Sequence, residues 1–179
     1  MKKPAWSLAP LVVLSAPAPL YAAQYMTAEE ALRHAFPQAS EFRTMKPTLA
    51  IAQWQAIDQT YDAPVGAREP RAWVALADGK PVGYLYVDDV LGKQLMITYA
   101  MALGLDARVQ RVDILEYRET HGFEVRNARW LAQFNGKDLG NTLQLGEDIK
   151  NISGATLSCR HVTQGVRRLL AIHRAHLGA

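Results

Sequence analysis

The periodic pattern of the chain begins at Thr27. Across residues 27–36, Ala28, Ala31, Leu32 and Ala35 fall three and four apart, the spacing of one helix face. Thr27 followed by Glu30 has the form of a capping box, and Pro37 ends the segment. A second helical pattern, residues 49–61, follows Lys46-Pro47-Thr48 and sets Ile51, Trp54, Ile57 and Tyr61 along one side. Pro64, Gly66 and Pro70 mark residues 62–70 as a loop. Beyond it the pattern turns to strands. Residues 72–77 and 82–87 read as strands joined by Asp78-Gly79-Lys80-Pro81, a hairpin signal. After Gly92-Lys93, residues 95–101 are short and apolar, and Gly104 and Asp106 turn the chain again. Residues 109–117 alternate, with Val112 and Ile114 on one face and Leu115 and Tyr117 on the other. Residues 129–134 read as a short helix stopped by Asn135-Gly136. A turn-rich approach, 148–156, leads into a last helix over 157–176, with Val162, Val166, Leu169, Leu170 and His173 along one side.

This order predicts an α+β fold: a single domain in which helices cover an antiparallel sheet. Residues 24–71 form an N-terminal helical segment and residues 72–179 the main domain. No repeat or low-complexity linker interrupts them.

Residues 1–23 differ in kind. Lys2 and Lys3 precede an apolar stretch, 6–15, that is too short to span a bilayer, and the segment ends Leu20-Tyr21-Ala22-Ala23. This is the form of a secretory signal peptide cut near Ala22 or Ala23, which predicts a periplasmic protein; an uncleaved anchor is the alternative. The segment holds no Cys that could accept a lipid.

Composition narrows the chemistry. In 179 residues, 49% hydrophobic and 21% charged side chains are the balance of a globular domain. The formal net charge of +3 includes Lys2 and Lys3; without them the 20 Lys and Arg come within one charge of the 17 Asp and Glu. A mature chain that is near neutral gives no electrostatic case for a nucleic-acid partner. Arg167-Arg168 reads as the solvated face of the last helix. Cys159 is the one cysteine. Internal disulfides, c-type haem attachment and cysteine-ligated iron–sulfur clusters are therefore excluded. His173 and His176, three apart, lack a third ligand in the pattern, so no metal site is expected.

The stretch Asp148-Ile149-Lys150-Asn151-Ile152-Ser153-Gly154-Ala155-Thr156-Leu157-Ser158 carries the candidate chemistry. It is a turn of small residues entering an amphipathic helix. Gly154 and Ala155 leave room for a bulky group near the backbone. A helix start has unpaired N–H groups and the positive end of the dipole, and so favours phosphate. Thr156 offers a hydroxyl at that place. On these residues alone, simple N-capping by Thr156 or Ser158 is the favoured reading of the pattern.

Ser153-Gly154-Ala155-Thr156, with Asp148 upstream, resembles the flavinylation motif of the FMN-binding domain family. That family includes periplasmic subunits of the Rnf and sodium-translocating NADH:quinone oxidoreductase complexes and small stand-alone proteins. The resemblance extends in order from about 72 to 170, through Gly79-Lys80-Pro81-Val82-Gly83-Tyr84, Gly92-Lys93, Leu103-Gly104-Leu105-Asp106, residues 112–122 and residues 130–137. His121, Phe123, Glu124 and Cys159 depart from its usual pattern.

The resemblance implies FMN joined by a phosphoester to Thr156, delivered from FAD by a flavin transferase. It implies an electron carrier with a membrane-bound haem or quinone partner rather than a stand-alone enzyme. A sensor or assembly module, or a small flavin-dependent reductase, are the alternatives. Ser153, Gly154, Ala155 and Ser158 would surround the attachment point. Glu119 and Thr120 would meet the ring or ribityl chain, or simply form a turn. Gly122 would allow the ring's close approach, and Lys93 would pair with phosphate or reduced flavin, or stay solvated. Asp148 would serve the transfer reaction or the turn. His121 and His161 are the titratable residues nearest the expected pocket; either would tune the flavin potential, but a surface or packing role is the favoured reading. Cys159 near a helix start would be either a stabilised thiolate or a small buried apolar group.

Overall fold

The computed structural model describes residues 23–178; the expected signal peptide and cleavage point fall almost wholly outside them. Six strands form one sheet: β1 (Ala23–Gln24), β2 (Glu41–Met45), β3 (Arg71–Ala77), β4 (Lys80–Leu91), β5 (Met96–Leu103) and β6 (Val109–Tyr117). Their order is β1-β6-β5-β4-β3-β2, and every neighbouring pair is antiparallel. The helices are α1 (Ala28–Ala35), α2 (Ile51–Tyr61), α3 (Ala128–Leu131) and α4 (Thr156–Leu177). This is the expected α+β architecture.

The sheet separates two apolar layers. On one face Ala31, Leu32 and Phe36, from α1 and its end, pack on Ala75, Leu85, Val87, Ala100, Ala102 and Leu115. On the other, α2, α3 and α4 cover Tyr86, Val90, Ile97, Tyr99, Met101, Leu103, Val112 and Ile114. Alternate residues of β4 feed opposite layers, as strand geometry requires. The capping box that starts α1 is present: Thr27 Oγ1 accepts the Glu30 N–H at 3.1 Å and the Glu30 carboxylate accepts the Thr27 N–H at 2.7 Å. Such a cap contributes about 1 kcal/mol. The side of α4 read from the sequence is the side that packs: Val162, Val166, Leu169, Leu170 and His173 are all buried.

Several expectations change. Residues 24–71 are not only helical, because β2 extends the sheet beyond β3 and β1 closes its other edge. Glu-Phe-Arg-Thr-Met is short and half polar, as an edge strand exposed along one side can be. Ile51 does not join the apolar side of α2; it is 73% exposed at the helix's first turn, while Trp54 and Ile57 are buried. The hairpin turn is Asp78-Gly79 alone, with Ala77 paired to Lys80. Arg168 is not on a solvated face. It is 1% exposed and ion-paired to Asp88 at 3.2 Å and Asp58 at 3.3 Å. Two carboxylates from β4 and α2 compensate a guanidinium that burial would otherwise forbid.

The most consequential change lies in β6. Ile114 pairs with Tyr99 and Glu116 with Thr98, so Leu115 is an extra residue in the ladder. A bulge of this kind reverses the alternation after it. Leu115 enters the α1 layer, but Tyr117 returns to the face of Val112 and Ile114. It does not share the face of Leu115.

Candidate flavin site at the start of helix α4

Tyr117 ends β6 beneath the first turn of α4. Its hydroxyl donates to the His121 carbonyl at 2.5 Å and lies 3.3 Å from Ser158 Oγ. Burial raises the Tyr117 pKa, so the phenol keeps its proton for these bonds. The loop that follows β6 is thereby folded back on α4. Gly122 is its closest approach. It has φ 84°, and a Cβ there would stand 2.8 Å from Tyr117 Oη, 3.2 Å from Ser158 Oγ and 3.6 Å from Ala155 Cα. Only glycine satisfies both the left-handed backbone and that spacing.

The small-residue turn enters α4 from the other side. The Ala155 N–H donates to the Ile152 carbonyl at 3.1 Å, with Gly154 at φ 86° inside the turn. Ser153 and Gly154 are exposed, and a side chain at Gly154 would meet nothing within 4 Å. Ala155 is the N-cap residue and has no side-chain acceptor to offer. The first intrahelical bond is Cys159 N–H to Ala155 C=O at 2.9 Å. The N–H groups of Thr156, Leu157 and Ser158 therefore precede the helical ladder. Thr156 is the first helical residue and half-exposed, and Asn151 Nδ2 donates to its Oγ1 at 3.0 Å. Neither Thr156 nor Ser158 caps the helix by the expected N-cap bond.

A second loop lies next to the first. Glu119 Oε1 accepts the N–H groups of Gln94 at 2.5 Å and Leu95 at 2.9 Å. Partial burial raises the Glu119 pKa. The backbone N–H groups of Gln94, Leu95 and Lys93 and the Lys93 charge outweigh it, and the net shift is downward. Of the two roles weighed for Glu119, this side chain makes the turn. Lys93 and Thr120 are exposed. His161 Nδ1 donates to the Leu91 carbonyl at 2.5 Å, tying the same turn to α4. His121 is exposed and takes part through its carbonyl.

Asp148 is also a loop clamp. It accepts from Leu143 N–H and Lys137 Nζ at 3.0 Å each and from Gln144 N–H at 2.8 Å. Burial raises its pKa, but these donors pull it below the ordinary carboxylate value. Cys159 is fully buried, and burial pushes its thiol up, so it is the small apolar group rather than the thiolate. His173 Nδ1 is 2.9 Å from Tyr86 Oη and His176 Nδ1 accepts the Thr48 N–H at 3.0 Å, so each has a structural partner. Among the described residues no group of three His, Cys, Asp or Glu is placed to hold a metal.

Thr156, Ser153, Gly154, Ala155, Ser158 and Gly122 thus share one corner, and Glu119 and Lys93 share the adjoining turn. Tyr117 and Asn151 complete the corner and were not singled out from the sequence. The face of Tyr117 depends on a bulge without a local signal. Asn151 had one, its adjacency to the small-residue turn. Exposed small residues, free helix N–H groups and a half-exposed hydroxyl form a donor set that fits a phosphate-linked group.

Residues 92–171 match the model of the FMN-binding domain. That segment is thus similar to the FMN-binding domain. The match begins later than the resemblance did and leaves the β3–β4 hairpin outside it. The fold is similar to the crystal structure of Shewanella oneidensis NqrC, with a TM-score of 0.53 and 18% sequence identity, over 80% of this chain and 87% of that one. No curated protein sequence matches the chain. Strands β5 and β6 and the whole of the α4 corner lie inside the matched residues. No helix among the described residues is long and apolar enough to cross a membrane.

Proposed function

We propose that the chain is a periplasmic electron-transfer flavoprotein whose FMN is held by a phosphoester to Thr156. The observation that carries this reading is the half-exposed Thr156 hydroxyl beside the uncapped N–H groups of α4, within the FMN-binding domain. Thr156 Oγ1 attacks the FMN-side phosphorus of FAD on a flavin transferase. The Oγ1–P bond forms as the P–O bond to AMP breaks, AMP leaves, and the hydroxyl proton passes to a base of the transferase. No electrons change hands in this step.

The residues of the chain then bind and orient. The N–H groups of Thr156, Leu157 and Ser158 and the helix dipole balance phosphate charge. Ser153 and Gly154 leave the approach open, and the small Ala155 lies buried beneath it. Gly122 and Thr120 border the corner on the β6 side, and Glu119 holds the turn carrying Lys93. A flavin supplies exchange of one or two electrons, with its potential tuned by the protein around it. Covalent attachment suits an exported protein, which cannot easily recapture a cofactor once lost, and residues 1–23 support export. The partner of this reading is a membrane-bound haem or quinone protein.

The full chain co-expressed with a flavin transferase is expected to give a fluorescent band on a denaturing gel and an intact mass higher by one FMN. Thr156→Ala is expected to lose both. Wild-type protein lacking the added mass, or fluorescence surviving in Thr156→Ala, sinks the proposal.

A further inference from the structure

The contact between Asn151 and Thr156 is the one side-chain hydrogen bond to the attachment hydroxyl among the described residues. Resting on the reading of Thr156 given above, we propose that Asn151 is a positioning residue for flavin attachment. Its amide holds Thr156 Oγ1 in the orientation from which that oxygen attacks phosphorus.

The backbone on both sides of Asn151 is fixed. The Lys150 N–H donates to Gln133 Oε1 at 2.8 Å, and the Lys150 carbonyl accepts Trp130 Nε1–H at 2.6 Å. Trp130 is buried in the core, so this clamp is anchored in the interior. The Ile152–Ala155 turn then closes the path to the helix. Asn151 is therefore delivered to Thr156 by framework that the rest of the domain holds rigid. Its amide N–H occupies one lone pair of Oγ1 and leaves the other, with the hydroxyl proton, for reaction. The threonine's β-branching narrows χ1 further. In the transfer the Oγ1–P bond forms, the bond from phosphorus to AMP breaks, and the proton leaves to the transferase. Asn151 exchanges neither proton nor electron. After attachment its amide remains an uncharged donor next to phosphate.

A purely structural asparagine would behave differently. Asn and Asp serve loops almost equally well. A loop role makes Asn151→Asp milder than Asn151→Ala. A positioning role beside an incoming phosphate makes Asn151→Asp the more harmful, because its charge repels the phosphate and it offers no amide donor. The Thr156→Ser change adds a second distinction. Without the β-branch the hydroxyl depends more on Asn151, so the loss caused by Asn151→Ala grows in that background.

The experiment measures the initial rate of covalent flavin incorporation into the full chain by a purified flavin transferase with FAD, read by intact mass. Thermal melts of each variant monitor the fold. Asn151→Ala is expected to slow incorporation about tenfold with an unchanged melting temperature. Asn151→Asp is expected to be slower still. The factor lost through Asn151→Ala is expected to be larger in the Thr156→Ser background than beside the native threonine. Wild-type rates in Asn151→Ala, or Asn151→Asp milder than Asn151→Ala, overturn the proposal. Incorporation persisting in Thr156→Ala overturns the reading beneath it instead, which keeps the two failures apart.

Discussion

His173 is a residue whose chemistry is set entirely by where it lies. Its ring is 1% exposed on α4, edge-on to Tyr84 and Tyr86 with centroids 5.0 and 5.7 Å away. Burial, with the neighbouring His176, lowers its pKa to about 4. An unfolded histidine takes up its proton near pH ~6.5. Between those values the unfolded chain binds more protons, so stability is lost as pH falls through that window. A shift of this size is on the order of 3 kcal/mol. Chemical denaturation at about pH 7.5 and about pH 4.5 is expected to show a smaller acid loss for His173→Gln than for wild type. An identical loss in both assigns the acid sensitivity elsewhere.

Helix α4 as an element lies unusually close to the sheet at Gly165. A Cβ there would stand 2.4 Å from Tyr99 Oη, 2.9 Å from its Cζ and 2.9 Å from Val90 Cγ1. On an open helix face Gly→Ala stabilises by about 1 kcal/mol. Here the sign reverses, because Tyr99 is fully buried and has little space into which to move. The Tyr99 hydroxyl has no hydrogen-bond partner, so removing it relieves that cost and the nearest of the three contacts, while Cζ and Val90 Cγ1 stay at 2.9 Å. Gly165→Ala is expected to lower the melting temperature, and Tyr99→Phe to leave it unchanged or raise it. In the Tyr99→Phe background Gly165→Ala is expected to be less harmful but still destabilising. Strict additivity in thermal melts of the four proteins would locate the clash elsewhere.

At the scale of the molecule, the matched residues 92–171 are less than the folding unit. Strand β5 pairs with β4, and α4 rests on α2 and β4. Arg168 joins these parts: it pairs with Asp58 of α2 and Asp88 of β4 and donates to the Arg68 carbonyl at 2.5 Å. Cutting the chain before residue 92 leaves β5 as an open edge and strips α4 of the apolar residues of α2 and β4 and of both carboxylates that hold Arg168. A fragment of residues 92–179 is therefore expected to show no cooperative thermal transition by circular dichroism, whereas residues 24–179 melt cooperatively. A sharp melt of the shorter fragment contradicts this account of the fold.

Local patterns alone determined much of this protein. The helix faces of α1 and α4, the capping box at Thr27, the Asp78-Gly79 turn and the small-residue entry to Thr156 all rest on contacts within a few residues. Each is written in residue types and spacing, so each was legible in the sequence, as were the α+β class and the family whose model residues 92–171 match. Tertiary structure alone decided which face Tyr117 takes, because the Leu115 bulge arises from pairing with β5, a separate strand. It alone decided that Glu119 spends its carboxylate on a neighbouring turn, that Arg168 is buried, and that the polar segment Glu41–Met45 is a strand. Those outcomes depend on partners remote in sequence, and the desolvation and hydrogen bonding that settle them exist only once the sheet has assembled.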